Sequence, residues 1–232
     1  MTIYERALDL VPDGAAIGLG SGRAAWAFVG LIGERVRAGR LTVRGVPTSD
    51  ETAHVAAESG VPVVGLAGAG ELALTVDGAD EVDPRLDLIK GYGRALVREK
   101  VVAAASRRLV ILVGEEKLVP RLGTRGRLPV EVVPFAVPLC ERRLTALGLR
   151  PVLWESDGRP GVTDNGNHIL DCATEPIRDP ARLEAEVRSI PGVVGTGLFL
   201  GMAHTVLVGD RAGFRLIEER IRPQTPAAGG ES

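Results

Sequence analysis

The chain has 232 residues, 45% of them hydrophobic and 25% charged, with a formal net charge of −2. That balance describes a globular protein that buries a core without disulfide or metal staples, as one large domain or as one plus a smaller companion. A pI near 6.0 lacks the basic field that drives nucleic-acid binding, and no apolar run reaches the ~18 residues of a membrane span, so neither partner is expected.

Aromatic residues make up only 3%, which leaves Val, Leu, Ile and Ala to fill the core. Cys140 and Cys172 stand apart, with no CxxC spacing, and read as small buried hydrophobes. The first residues, from Met1 to Arg6, lack a basic flank followed by an apolar stretch, so a cytoplasmic setting is expected.

In chain order, residues 15–20 form a short apolar run that predicts a buried strand. Apolar positions at Trp26, Val29, Ile32, Gly33 and Val36 then predict a helix over 23–38. Asp50 is the expected N-cap of a helix over 50–59, followed by a strand over 61–66. Residues 72–77 and 108–113 are further apolar strands, the second fed by a helix over roughly 93–106. Strand–helix alternation of this kind predicts a parallel sheet with helices on both faces.

The pattern changes after Arg127. A helix near 136–147, a strand at 152–155, a strand at 167–172, a helix near 180–189 and a strand at 192–200 suit a small α+β domain with an antiparallel sheet. Residues 163–167, with Asn165-Gly166 inside them, predict a hairpin turn. The expected organisation is a parallel-sheet domain over 1–126, the smaller domain over 127–202, a return to the first over 203–221, and a Pro/Gly/Ala-rich disordered tail over 222–232.

Three segments carry chemistry. The first, GLGSGRA from Gly18 to Ala24, ends a strand and opens a helix, where free backbone N–H groups and the helix dipole favour an anion. Arg23 occupies the position of the third glycine of the dinucleotide fingerprint, which argues against NAD. Ala16 replaces the acid that a methyltransferase loop carries two residues before its first glycine. Ser21 and Arg23 favour phosphate, and a tight βα turn without a ligand is the alternative.

The second segment, DGADE from Asp77 to Glu81, follows an apolar strand, so its acids fall at the C-terminal edge of the sheet. Their spacing does not fit a calcium loop, and a solvated turn is the alternative. Acids so close raise one another's proton affinity unless a cation compensates, and Lys90 is the candidate. In the third segment, Lys90 to Lys100, Glu99 lies three residues after Leu96 and three and four before Val102 and Ala103. It therefore borders an apolar stripe, where partial desolvation suits a general base. A surface charge run over 98–100 is the alternative. Lys117 falls on the same predicted sheet edge, while His54, His168 and His204 are dispersed without metal-ligand spacing.

Taken together, these motifs resemble the type A ribose-5-phosphate isomerases. The match comprises DGADE at 77–81, Lys90-Gly-x-Gly with Arg98-Glu-Lys downstream, LPVEVVP at 128–134, TDNGN at 163–167 and IPGVV at 190–194. The resemblance implies a Rossmann-like α/β domain with a smaller ferredoxin-like α+β domain, a homodimer or homotetramer, and no cofactor or metal.

It also implies that Glu99 moves a proton between C2 and C1 of open-chain ribose 5-phosphate through an enediolate, that Lys90 stabilises the oxyanion, and that Asp77 and Asp80 handle hydroxyl protons and ring opening. Ser21, Gly22, Arg23, Ala24, Gly78, Ala79, Gly91, Tyr92, Gly93 and Lys117 would bind the substrate. Three departures stand out: Ser21, Arg23 and Ala24 in a loop that the family usually writes GTGST, Tyr92 in place of a glycine followed by Arg94, and a short N-terminal helix. Arg23, Tyr92 and Arg94 motivate a rival reading as an isomerase of a related sugar phosphate. A non-catalytic sugar-phosphate-binding module is the alternative outside enzymes.

Overall fold

The structure, a computed structural model, describes residues 1–209 and 213–218. The chain begins with alternating helices and strands: α1 (Ile3–Leu8), β1 (Ala16–Leu19), α2 (Arg23–Arg37), β2 (Arg44–Pro47), α3 (Asp50–Glu58), α4 (Leu66–Ala69) and β3 (Leu74–Gly78). Two short strands, β4 (Glu81–Val82) and β5 (Leu88–Ile89), precede α5 (Leu96–Ala104) and β6 (Leu109–Gly114). Then come β7 (Arg127–Val132), α6 (Val137–Ala146), β8 (Arg150–Leu153), β9 (Glu155–Ser156), β10 (Arg159–Pro160), β11 (His168–Ala173) and α7 (Pro180–Arg188). Strands β12 (Val193–Thr196), β13 (Leu198–Phe199), β14 (Thr205–Gly209) and β15 (Phe214–Glu218) complete the described chain.

The larger sheet has the order β15-β14-β6-β3-β1-β2 and is parallel except for β15. Strands β1 and β6 are apolar along their length because both faces are covered. In β6, Val110 and Leu112 pack towards α1 and α2, alongside Phe28, Val29 and Ile32. Leu109, Ile111 and Val113 pack on the opposite face with Ala103 of α5 and Phe199. The period of two along an extended strand divides one apolar run between two cores.

The smaller sheet, β12-β7-β11-β8, is antiparallel throughout. Leu128, Val130, Val132, Leu170 and Cys172 face Cys140 and Leu144 of α6 and Val187 of α7. Both cysteines are free and buried, and burial pushes the Cys172 thiol up to about 12. The molecule is thus an α/β fold with a Rossmann-like parallel sheet and a smaller α+β unit. Arg98 ties the two together: it donates to Asp50 Oδ1 at 2.6 Å, to the Asp164 carbonyl at 2.6 Å and to Asn165 Oδ1 at 3.0 Å.

Three local expectations need correction. Residues 61–66 do not form a strand: Pro62 has no N–H to give a ladder, and only Val63 bridges β2, at Gly45, before α4 begins. The N-cap of α3 is Ser49, not Asp50, its hydroxyl accepting from the Thr52 N–H. Helix α5 starts at Leu96 instead of near residue 93, because Gly91 and Arg94 hold left-handed φ values of 106° and 71°. The expected turn at 163–167 does form: the Gly166 N–H donates to the Thr163 carbonyl at 2.8 Å, the Thr163 N–H donates to the Asn167 carbonyl at 2.9 Å, and Gly166 holds φ 76°, while the strands beyond it pair elsewhere, β10 with β9 and β11 with β7 and β8. The whole tail assigned to 222–232, and residues 210–212 and 219–221, lie outside the described residues. No helix among the described residues is long and apolar enough to cross a membrane.

Candidate active site

Parallel strands deliver their C-terminal ends to one edge, and the chain leaves that edge four times beside the same cavity. Ser21 follows β1, Thr48 and Ser49 follow β2, Asp80 follows β3, and Lys117 follows β6. The cavity measures about 470 Å³, within the range for small-molecule sites. Ser21, Gly22, Arg23, Ala24, Gly78, Ala79, Asp80, Lys90, Gly91, Gly93, Glu99 and Lys117 all line it.

Two residues expected in the site are turned away from it. Asp77 is 1% exposed and sits behind Lys90 instead of on the cavity wall. The Tyr92 side chain packs towards the smaller domain, its hydroxyl donating to the Arg127 carbonyl at 3.1 Å.

Gly20 explains how the first loop and Asp77 come together. A Cβ at Gly20 would overlap the carboxylate and main chain of Asp77, so only glycine lets the end of β1 press against β3. Asp77 Oδ1 then accepts from the backbone N–H groups of Ser21 at 3.1 Å and Gly78 at 2.7 Å. Gly22, at φ 89°, caps α2 without a side-chain bond and leaves the helix N-terminus open towards the cavity. Arg23 stands exposed at the first position of that helix.

The centre of the site is a buried group of three charges. Lys90 Nζ lies 3.0 Å from Asp77 Oδ2 and 3.2 Å from Glu99 Oε1, and donates to the Gly78 carbonyl at 2.7 Å. Phe199 covers the ammonium with its ring centre 5.5 Å away. Glu99 Oε2 is buried with no hydrogen-bond partner in the structure.

Burial pushes the Glu99 carboxyl up to about 8; Lys90 opposes the shift, while Asp77 adds to it. Asp77 is raised by burial as well, again against Lys90. Burial alone would lower the Lys90 ammonium, but the charges of Asp77, Glu99 and Asp80 outweigh it and raise it above its usual range. Two carboxylates around one ammonium leave an excess of negative charge, so one of the acids holds a proton readily and releases it readily. A carboxyl of that kind beside a fixed cation is suited to moving a proton on a carbon next to a carbonyl.

Sequence reasoning did not single out several residues around the cavity. Ser21 Oγ lies 2.8 Å from Thr48 Oγ1, 2.8 Å from Ser49 Oγ and 3.1 Å from Thr52 Oγ1, and Trp26 Nε1 donates to Thr52 Oγ1 at 2.9 Å. This hydroxyl cluster fixes the first loop to the start of α3. The position of Thr48-Ser49 at the end of a parallel strand was the available signal. Ile3 and Tyr4 of α1 and Glu116 also line the cavity, with no local pattern to mark them. His204 Nδ1 accepts from the Leu109 N–H and His168 Nδ1 bonds the Gly161 carbonyl, both structural contacts. Among the described residues no cluster of His, Cys, Asp and Glu could hold a metal ion.

Comparison with known proteins follows the same lines. The sequence model of ribose 5-phosphate isomerase A (phosphoriboisomerase A) matches residues 44–213. The chain is 51% identical to ribose-5-phosphate isomerase A of Roseiflexus castenholzii, over 92% of each chain, and 48% identical to that of Gloeobacter violaceus, over 96% of each. Its structure superposes on ribose 5-phosphate isomerase A from Methanocaldococcus jannaschii with a TM-score of 0.89 and 39% identity, covering 94% of this chain and 97% of that one. A D-ribose-5-phosphate isomerase in complex with phospho-erythronic acid matches with a TM-score of 0.90 and 37% identity, covering 94% and 96%.

Proposed function

The chain belongs to the ribose 5-phosphate isomerase A family, and from that premise we propose how its side chains divide the work. The protein is an aldose–ketose isomerase that interconverts D-ribose 5-phosphate and D-ribulose 5-phosphate in the pentose phosphate pathway. In the proposed mechanism Glu99 removes the C2 proton of the open-chain aldose. The electron pair left behind forms the C1–C2 double bond of a cis-enediolate, and the charge on O1 develops beside Lys90. Asp80 takes the O2 proton and passes it to O1, and Glu99 returns its proton to C1, so no proton is gained or lost overall. A positioned base of this type contributes roughly 10²–10⁴ in rate, and fixed positive charge at the developing oxyanion supplies a further gain.

One observation carries the assignment: Glu99 Oε1 is held by Lys90 while its buried Oε2 is unpartnered at the cavity wall. Asp77 serves as the support that holds Lys90 and the Ser21 N–H, a role its burial favours over contact with the sugar. The dependence of kcat/KM on pH tests this reading. The base must be ionised, so kcat/KM should fall about tenfold for each pH unit below about 8, where burial holds the Glu99 carboxyl. A limb in the ordinary carboxylate range, near pH 4 to 5, would reject Glu99 as the group that titrates.

Arg23 and Lys117 supply the positive charge for the phosphate in this reading, together with the open N-terminus of α2. Replacing Arg23 with Ala should raise KM by roughly tenfold or more and leave kcat nearly intact, as the loss of uniform binding to a charged group does. Steady-state kinetics with ribose 5-phosphate would reject the role if KM were unchanged. Of Arg23, Tyr92 and Arg94, the departures that suggested another sugar, only Arg23 lines the cavity. Assembly as a homodimer or homotetramer in the cytoplasm completes the reading and rests on the family resemblance alone.

A further inference from the structure

Arg94 holds a left-handed φ of 71°, a conformation that a residue with a side chain keeps only when its surroundings over-determine it. The smaller domain does so. The Arg94 guanidinium lies 2.9 Å from Asp171 Oδ1 and 4.7 Å from the centre of a Trp154 ring. Tyr92 turns the same way: its hydroxyl donates to the Arg127 carbonyl, the Arg127 guanidinium covers its ring at 3.8 Å, and Arg127 also reaches Asp171 Oδ2 at 3.6 Å. Asp171 thus sits between two guanidinium groups on the face of β11 opposite the one that Leu170 and Cys172 bury.

While these side chains grip the smaller sheet, the main chain of the same loop faces the cavity. Gly91 and Gly93 line it directly after Lys90. The Tyr92 N–H donates to Asp80 Oδ2 at 2.9 Å, a direct link from the loop to an acid on the cavity wall.

We propose that Arg94 and Tyr92 are positioning residues that brace the 90–94 loop against the smaller sheet and thereby fix the carboxylate of Asp80 relative to Lys90. The proposal rests on the assignment of Asp80 and Lys90 to the reaction. It gives two of this chain's departures from its family's pattern a geometric purpose in place of a role in substrate choice.

The discriminating variant is Arg94→Gly. Glycine accepts this φ without strain, so if Arg94 served only conformation the variant would be at least as stable and kinetically unchanged. The brace predicts a fall in kcat of about ten- to a hundredfold with KM held within about threefold, because a small displacement of Asp80 acts on the transition state. Asp171→Asn should lose kcat in the same way, and the double variant should be little worse than either single one. Amide hydrogen exchange across residues 88–96 should quicken in both single variants, a readout that does not depend on the reaction. Wild-type kcat with unchanged exchange in Arg94→Gly overturns the proposal, as does a change in KM or sugar preference with kcat intact. Failure of the underlying mechanism would show separately, as wild-type turnover in Glu99→Gln.

Discussion

Purified Glu99→Gln protein should lose roughly three orders of magnitude in kcat and yet unfold at a higher temperature than the wild type. The first effect is the removal of the base, within the range that positioned proton transfer contributes. The second follows from linkage. The Glu99 carboxyl is raised from 4.5 to about 8 by burial, so between those values the folded state binds more protons than the unfolded one. Stability therefore falls as pH rises through that window, and the full cost is present above it. Glutamine removes the cost while Lys90 keeps its partner Asp77 at 3.0 Å. The gain in Tm should grow from pH 5 to pH 8.5, at roughly 2–4 °C per kcal/mol for a chain of this size. Calorimetry together with a turnover assay reads both. A variant that is inactive and less stable at every pH would mean that the charge of Glu99 holds the fold together instead of straining it.

Lys90→Met should have the opposite effect on stability and abolish measurable turnover. Without the ammonium, Asp77 and Glu99, at 1% and 4% exposure, face each other with no counter-ion. Breaking a buried pair from one side costs on the order of 3–5 kcal/mol, because a charge is left uncompensated. The loss should depend on pH with a definite sign. Both carboxyls are already raised by burial and would rise further, so the folded variant takes up protons on acidification and recovers stability that it lacks at pH 8. Urea unfolding of variant and wild type at pH 5.5 and pH 8 measures the difference. An equal loss at both values would show that Lys90 contributes packing under Phe199 and not charge.

The backbone of this site was legible in the sequence because parallel strands between helices always end on one edge. Apolar runs such as Leu109–Val113 are long enough to mark that edge, so the placement of the first loop, Asp80 and Lys117 followed, while Lys90 was reached only as the cation that the acids require. What could not be read was which way neighbouring side chains turn. Asp77 and Asp80 are three residues apart on either side of a strand end, and spacing does not reveal that one faces the interior and the other the cavity. Tyr92 lies between two cavity-lining glycines, yet the contacts of its side chain with Arg127, far away in sequence, decide its direction. The Ser21 hydroxyl cluster depends on three residues from another βα junction, and α1 reaches the cavity only through tertiary packing. Ser49 captured the N-cap from Asp50 because its hydroxyl is placed to reach the Thr52 N–H, a choice between adjacent good caps that composition does not make.

The distribution of exposure around the cavity has a bearing on how such an enzyme diversifies. Groups that would meet the far end of the sugar, the exposed Arg23 and the half-buried Lys117, sit at the first position of α2 and in the short helical turn after β6, outside the buried core. The acid proposed to move the proton is instead anchored within α5, on the face that the helix buries with Leu96, Val102 and Ala103. Mutation can therefore explore new phosphate-bearing ligands at the periphery at small cost to folding, while the chemistry at C1 and C2 is inherited unchanged.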